Sequence, residues 1–317
     1  MKKIGIFFGG KISKHLCLIR EAGKKLGLEV ELVSYNRVFF DSNEGIVKLR
    51  NDMIKGDGFE DINKFDVYFF RTTGKHWEEV GLILDAIGDR SDAIVVDPLV
   101  WQGRPSMALK AWQMLTLKRA GFDVPQSVYG SLQFLRAKAK NYFDFPMIIK
   151  GSGGDRGTRV YIVHNQNELD DKVTELRPSE ISEGRRYMAQ EYIENDGDYR
   201  VLVLGDKVLG VMKRSSQSKS EFRNNYSAGG SVEVANLPED IKKMAVKAAK
   251  ACGLLVAGVD VAFRDFDKAK PVIWEVNKGP QFAGFMKATG IDVPAEIVKF
   301  LDGLSLDKYR ELVKDWK

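Results

Sequence analysis

From Lys3 onward, short apolar runs alternate with amphipathic stretches: KIGIFFG, a helical spacing over 14–26, VELVSY, DVYFFR, the helical pattern EEVGLILDAIG, and AIVVDP. Buried runs separated by 3.6-residue periodicity predict strands linked by helices, so residues 1–98 are expected to form a small doubly wound α/β domain. Gly9-Gly10 ends the first strand ahead of a helix, a place where backbone amides can face a ligand. The spacing G-x-G-x-x-G is incomplete, however, and a tight turn is the preferred reading.

Beyond residue 98 the pattern changes. PSMALKAWQMLTLKRAG predicts a helix over 105–121, with Pro105 near its start and Gly121 at its end, as helix termini prefer. VPQSVYG is a short strand, and FPMIIK is a buried strand ending in Lys150. YIVHNQNELDDKVTEL continues as strand, turn and helix, and the polar run RPSEISEGRR reads as a loop. MAQEYI, DYRVLVLG and KVLGVMKR are three β-rich runs, the last two joined by Gly-Asp, and they predict an antiparallel sheet. LPEDIKKMAVKAAKACG is an amphipathic helix with Gly253 just past its end, and GVDVAFRDF with PVIWEVN forms a further hairpin across DKAK. The tail from Val293 is helical and charged, with Tyr309, Leu312 and Trp316 on one face, which predicts packing against its own domain.

Composition narrows the function classes more than it selects one. With 44% hydrophobic and 29% charged residues in 317, the chain is an ordinary globular sequence and disorder is excluded. No run approaches the roughly 18 apolar residues of a membrane helix, and MKKIGIFFGG lacks the core of a signal peptide, so a cytoplasmic location is expected. Cys17 and Cys252 cannot build a disulfide scaffold. His15, His76 and His164 have no metal-ligand spacing, so any metal must be held by oxygen. A net charge of +5 leans weakly toward an acidic substrate. It falls short of the basic, aromatic-interleaved face that nucleic acid requires.

Three constellations carry candidate chemistry. If the hairpin turn centres on Asp267 and Lys268, Asp260 lies opposite Glu275, and Asn277 shares the face of Glu275. Opposed carboxylates repel unless a cation sits between them, and magnesium favours a few carboxylates together with nucleotide phosphates. The plain alternative is a solvated polar sheet face, which the apolar neighbours VIW and GVDVAF argue against. Lys150 precedes the loop GSGGDRGT, where Gly153 and Gly154 let amides approach phosphate oxygens beside a lysine charge. This is not a Walker motif, because the lysine precedes the loop and a strand follows it. Lastly, Asp198, Arg200, Lys213, Arg214 and FRNNYSAGG (222–230) gather basic and amide groups suited to bidentate contacts with carboxylate or phosphate. A solvated basic edge is the alternative there.

The order of these motifs resembles the ATP-grasp superfamily, specifically the RimK-like carboxylate-amine ligases, over about 104–302. The family's helix lysine, strand lysine before a Gly-rich loop, hinge, and Asp…Glu-x-Asn set read here as Lys110, Lys150, QEYI (190–193), and Asp260 with Glu275-Val276-Asn277. FRNNYSAGG is similar to the family's Arg-Ser-Asn segment, with Asn224 at the serine position. The resemblance implies a pre-ATP-grasp α/β domain (1–98), a linker helix and small α+β subdomain (99–188), and a C-terminal α+β subdomain (189–317), the last two clasping ATP. It further implies that Lys110, Lys150 and the Gly153-Gly154 amides contact the phosphates, and that Gln190, Glu191, Tyr192 and Ile193 form the adenine hinge. Asp198 would meet the ribose and Lys213 would belong to the nucleotide site. Arg200, Arg214, Arg223 and Asn225 would surround the γ-phosphate and an acyl phosphate. Asp260, Glu275 and Asn277 would hold magnesium, two ions with manganese as a substitute. Asp155-Arg156 departs from the smaller loop residues usual in the family.

The reaction so implied is phosphorylation of a carboxylate by ATP, followed by attack of an amine to give an amide or peptide bond. The site lacks Cys or His nucleophiles and depends on positioning and charge neutralisation. Small-molecule or peptide carboxylates and amines are the expected partners, with no nucleic acid and no membrane. Glutamate is the expected kind of amino acid. The loops 71–78 and 215–222 are expected to contact the substrates. The rival reading is a noncatalytic ATP-binding regulator that keeps the fold.

Overall fold

The computed structural model describes residues 1–51, 58–88, 90–98, 100–101, 104–105, 109–151, 159–195, 197–215 and 231–316, with Trp101, Arg104 and Pro105 described in backbone only. The first sheet is built from β1 (Lys3–Phe8), β2 (Glu29–Ser34), β6 (Val67–Thr72) and β7 (Ile94–Val96), in the order β2-β1-β6-β7. All three pairings are parallel. The crossovers include α1 (Lys14–Lys25) and α2 (Trp77–Ile87), so the expected doubly wound arrangement is present. Between β2 and β6 the chain inserts an antiparallel meander, β3 (Val38–Asp41), β4 (Ile46–Arg50) and β5 (Phe59–Asp61), that the sequence reading did not separate.

The 105–121 helix needs correction. Pro105 pairs with Val100 in a short bridge of β8 (Val100–Trp101) and β9 (Arg104–Pro105), and α3 runs only over Lys110–Arg119. Its first residue is therefore Lys110, and Gly121 follows its end at φ +87°.

The second sheet contains β10 (Ser127–Gly130), β11 (Met147–Gly151), β12 (Val160–Val163) and β13 (Tyr187–Glu191), in the order β10-β13-β11-β12. Its back is covered by α4 (Leu132–Lys138) and α5 (Gln166–Glu183), through Leu132, Leu135, Leu169 and Val173. The expected loop at RPSEISEGRR is thus largely helix, with Pro178 inside α5. One missing N–H does not unravel an element anchored by buried Leu169, Val173 and Leu176. Its distal turn is also tied down where Glu180 accepts the Leu132 N–H at 2.9 Å. MAQEYI, expected beside DYRVLVLG in one sheet, belongs to this second sheet instead. That keeps residues 187–191 together with 127–163.

The third sheet follows the order β16-β15-β14-β17-β18 and is antiparallel throughout. Its members are β14 (Asp198–Leu204), β15 (Lys207–Ser215), β16 (Ser231–Val234), β17 (Val256–Phe263) and β18 (Pro271–Lys278). Helix α6 (Glu239–Ala251) packs on one face against Val201, Val203, Val211, Val259 and Val261. The other face shares a core with α7 (Ala283–Thr289), α8 (Val293–Gly303), α9 (Leu306–Val313) and the first sheet. Tyr309, Leu312 and Trp316 are all buried there, as the amphipathic tail predicts. Among the described residues, no helix is long and apolar enough to cross a membrane.

Candidate active site

The hairpin of β17 and β18 has the expected register: Asp260 stands opposite Glu275, and Gly258 opposite Asn277. A bulge follows between Asp260 and Val261, so that Val261 faces Ile273 and the strands bend just past the two carboxylates. The neighbouring strands extend the row, because Arg200 on β14 pairs with Asp260 and Asp198 pairs with Arg214 on β15. Alternation along each strand therefore puts Asp198, Arg200, Arg214, Asp260, Glu275 and Asn277 on one face of the sheet.

These side chains form one network. Arg200 grips Asp260 bidentately, Nε to Oδ1 at 2.8 Å and Nη2 to Oδ2 at 2.7 Å. Arg214 reaches Asp260 Oδ2 at 2.9 Å through Nη2 and also donates to Asp198, through Nε at 3.2 and 3.1 Å and through Nη2. Asn277 Nδ2 donates to Asp260 Oδ2 at 3.0 Å. Lys110 Nζ lies 3.5 Å from Glu275 Oε1. Burial by itself would raise the Asp260 carboxyl pKa, but Arg200 and Arg214 outweigh it and hold that group below its usual range. At Asp198 burial prevails over Arg214, and the pKa is raised. Asp198 is 1% exposed, so in this conformation its carboxylate serves Arg214 instead of facing a ribose. Each of the two opposed carboxylates has a cationic partner of its own, which relieves the repulsion expected of them.

Lys150, on β11, faces this row from the second sheet. Its ammonium donates to Gln190 Oε1, and Gln190 Nε2 donates to Ser127 Oγ at 2.9 Å. Burial first, and then the nearby Lys110 charge, push the Lys150 pKa down to about 8, while Glu275 partly opposes the shift. At the hinge, the Glu191 N–H donates to the Gln126 carbonyl at 2.9 Å. The Glu191 carboxylate accepts from Gln126 N at 2.8 Å and from Arg264 Nη2 at 2.6 Å. Ile193 is buried, Tyr192 half-buried, and the Ile193 carbonyl accepts from Asn195 at 2.8 Å. Lys213 sits on the opposite face of the third sheet, its Nζ 5.7 Å from the Tyr199 ring centroid. The structure does not bring it together with Arg200 and Asp260. Gly153, Gly154, Asp155, Arg156, Arg223, Asn224 and Asn225 lie outside the described residues.

Two residues escaped the sequence reading. Gln113, one helical turn after Lys110, exchanges two hydrogen bonds with the Val276 backbone at 2.7 and 2.8 Å and so seats α3 beside Glu275. A buried glutamine at i+3 from a candidate lysine was the available signal. Arg264 links Asp123, at 2.8 Å, to the hinge residue Glu191, and only tertiary contact reveals it.

The donor set suits a hard divalent cation. Glu275 and the Asn277 Oδ1 offer oxygen ligands, and Asp260 offers a second carboxylate whose oxygens here accept from Arg200, Arg214 and Asn277; the surrounding Lys and Arg charges suit the phosphates such an ion accompanies.

The family model for a RimK-like ATP-grasp domain matches residues 106–301. A probable alpha-L-glutamate ligase of Pasteurella multocida (strain Pm70) is 34% identical over 194 residues, 60% of this chain and 59% of that protein, so this match spans about three fifths of the relative. Another, from Pseudoalteromonas translucida (strain TAC 125), is 28% identical over 316 residues, 96% of this chain and 97% of the relative. Among solved structures, the ATP-grasp ligase PsnB complexed with its minimal precursor superposes with a TM-score of 0.67. It shares 17% identity and covers 95% of this chain and 99% of its own.

Proposed function

This chain belongs to the RimK-like ATP-grasp family, and from that premise we propose that it is an ATP-dependent carboxylate-amine ligase that joins L-glutamate, through its amino group, to the carboxylate of a small molecule or acidic peptide. The family binds ATP with magnesium. The glutamate assignment is supported by the relatives, which are probable alpha-L-glutamate ligases. The observation that carries the site is the single row of Arg200, Asp260 and Glu275 across three strands, with Lys110 and Lys150 above it.

The residues divide the work by position. Lys150 and Lys110 meet the phosphates of ATP, and Gln190 to Ile193 border the adenine. A substrate carboxylate oxygen attacks the γ-phosphorus, ADP departs, and an acyl phosphate forms; the amine then attacks the acyl carbon and phosphate leaves. Arg200 and Arg214, held in fixed orientation by Asp260 and Asp198, counter the charge that builds on the transferring phosphoryl group. Asp260, Glu275 and Asn277 would hold magnesium, or manganese in its place, with two ions as the complete set, supplying charge neutralisation at the phosphate oxygens. Arg223, Asn225, Gly153 and Gly154 complete the phosphate shell in this reading, and Lys213, on the far face of the sheet, has no part in it. Residues 1–98, 99–188 and 189–317 are the working units, with the strand Tyr187–Glu191 running across the second boundary. The cytoplasm, where ATP is supplied and free thiols such as Cys17 and Cys252 persist, is the compartment we assign.

The test is ADP release from magnesium-ATP with L-glutamate and a panel of carboxylates, in the wild type and in Glu275→Ala. We expect the variant to lose at least 100-fold in turnover while its thermal midpoint stays within a few degrees, since Glu275 is only half-buried. Undiminished turnover would remove the metal assignment. Absence of ADP release across the whole panel, with ATP still bound, would favour the regulatory alternative.

A further inference from the structure

Arg71 is the penultimate residue of β6, at the C-terminal edge of the parallel sheet, where open α/β sheets receive ligands. It is 3% exposed. Nη2 donates to the Pro280 carbonyl at 2.5 Å, but Nη1 is buried and has no hydrogen-bond partner. Among the described residues no carboxylate forms an ion pair with it. The acidic group whose charge it feels, Asp97, is committed to the backbone N–H groups of Leu255 and Val256, at 2.6 and 3.1 Å. A buried guanidinium with an orphaned N–H is costly unless an anion completes it.

A second unsatisfied group lies beside it. His15, in the first turn of α1, has a buried Nδ1 without a partner, and its ring packs edge-on to Phe282 at 4.5 Å between centroids. The Arg71 guanidinium lies 5.7 Å from the centroid of the same ring. Burial, followed by the charges of Arg71 and Lys14, lowers the His15 pKa, so a neutral imidazole stands next to the cation at the positive end of a twelve-residue helix.

The pair borders the candidate active site. Pro280 is three residues beyond Asn277. A Cβ built on Gly258 would lie 2.8 Å from Pro280 Cβ and 3.4 Å from Arg200 Cδ, so the proline that Arg71 holds abuts the arginine that grips Asp260. Lys278 Nζ donates to the Phe70 carbonyl, docking the same segment onto β6.

We propose that Arg71, with His15 beside it, binds the non-reacting α-carboxylate of the amine-bearing amino acid. This rests on the ligase reading and adds the group that selects the amine substrate. Ammonium and carboxylate are one carbon apart in an α-amino acid, so anchoring the carboxylate here aims the amine toward the Arg200–Asp260 row. Arg71 would then be a specificity-determining residue, and amines lacking an α-carboxylate would be poor substrates.

The experiment is titration calorimetry of the full-length protein, saturated with magnesium and a nonhydrolysable ATP analogue, using L-glutamate and 4-aminobutyrate, which lacks only the α-carboxylate. The wild type should bind glutamate at least tenfold more tightly. Arg71→Met should abolish that preference by weakening glutamate alone, Arg71→Lys should retain part of it, and nucleotide affinity should hold in both variants. Arg71→Lys keeps the buried charge should Arg71→Met fail to fold. A parallel loss for both ligands, or an unchanged preference, would leave Arg71 a structural tie and overturn the proposal. If the nucleotide binds but neither amino acid does, the glutamate reading itself falls, and the proposal with it.

Discussion

Lys150 illustrates how one residue's surroundings set its chemistry. Emerging from a buried strand near Lys110, its ammonium is disfavoured, and the pKa drops to about 8. In the ligand-free protein the native state therefore sheds this proton before the unfolded chain does. Stability gains as pH rises from about 8 toward the unfolded value of about 10.4. ATP binding has the opposite sign, because phosphate oxygens favour the charged lysine. We expect ATP affinity to weaken by up to about tenfold between pH 8 and pH 9, with proton uptake on binding seen in buffers of differing ionisation enthalpy. Lys150→Arg, charged throughout, should flatten that profile; a flat profile in the wild type would contradict the assignment. The lysine and its strand were legible in the sequence as FPMIIK. Its depressed pKa was not, since Lys110 is distant in sequence and comes near only through α3.

At the scale of elements, the site depends on how α3 meets β18. The Gln113 side-chain amide pairs with both the N–H and the C=O of Val276, acting as a short extra strand across 163 residues of sequence. Gln113→Leu leaves two buried backbone groups without partners and should cost about 3 kcal/mol in denaturant unfolding. It should also raise the KM for ATP as Lys110 loses its seat beside Glu275. A variant with wild-type stability and KM would mean that α3 is held by other contacts. Local patterning predicted the β17–β18 hairpin and its register, because turn length and strand alternation are local properties. It failed at Pro105 and at 177–183. Proline at a helix start and a polar run as loop are averages, overridden here by the β8–β9 pairing and by the buried face of α5.

The whole molecule is joined by a core that ignores the order of units along the chain. Ile4, Ile6, Val67, Phe69, Ile94 and Val96 of the first sheet pack with Val293, Ile297, Leu301, Tyr309 and Trp316. Tyr309 adds a hydrogen bond to the Val95 carbonyl at 2.9 Å. Tyr309→Ala should therefore destabilise the protein by about 3–5 kcal/mol. In calorimetry the first and third sheets should still unfold in one transition. A separate transition for the first sheet would show that this shared core does not couple them. The same packing brings β6, and Arg71 with it, against the segment that follows the candidate metal strand.

By itself the sequence determined the alternation of strands and helices, the Asp260–Glu275 register and the residue types of the candidate site, because each depends on periodicity, turn length or side-chain chemistry within a short span. Only the tertiary structure decided which cation serves which carboxylate. It paired Arg200 and Arg214 with Asp260, Lys110 with Glu275 and Arg214 with Asp198, set Lys213 on the far face, and left Arg71 Nη1 and His15 Nδ1 without partners. Those outcomes depend on which strands become neighbours and which helices cover them. That choice is made by burying apolar surface across the whole chain, and no local window of sequence contains it.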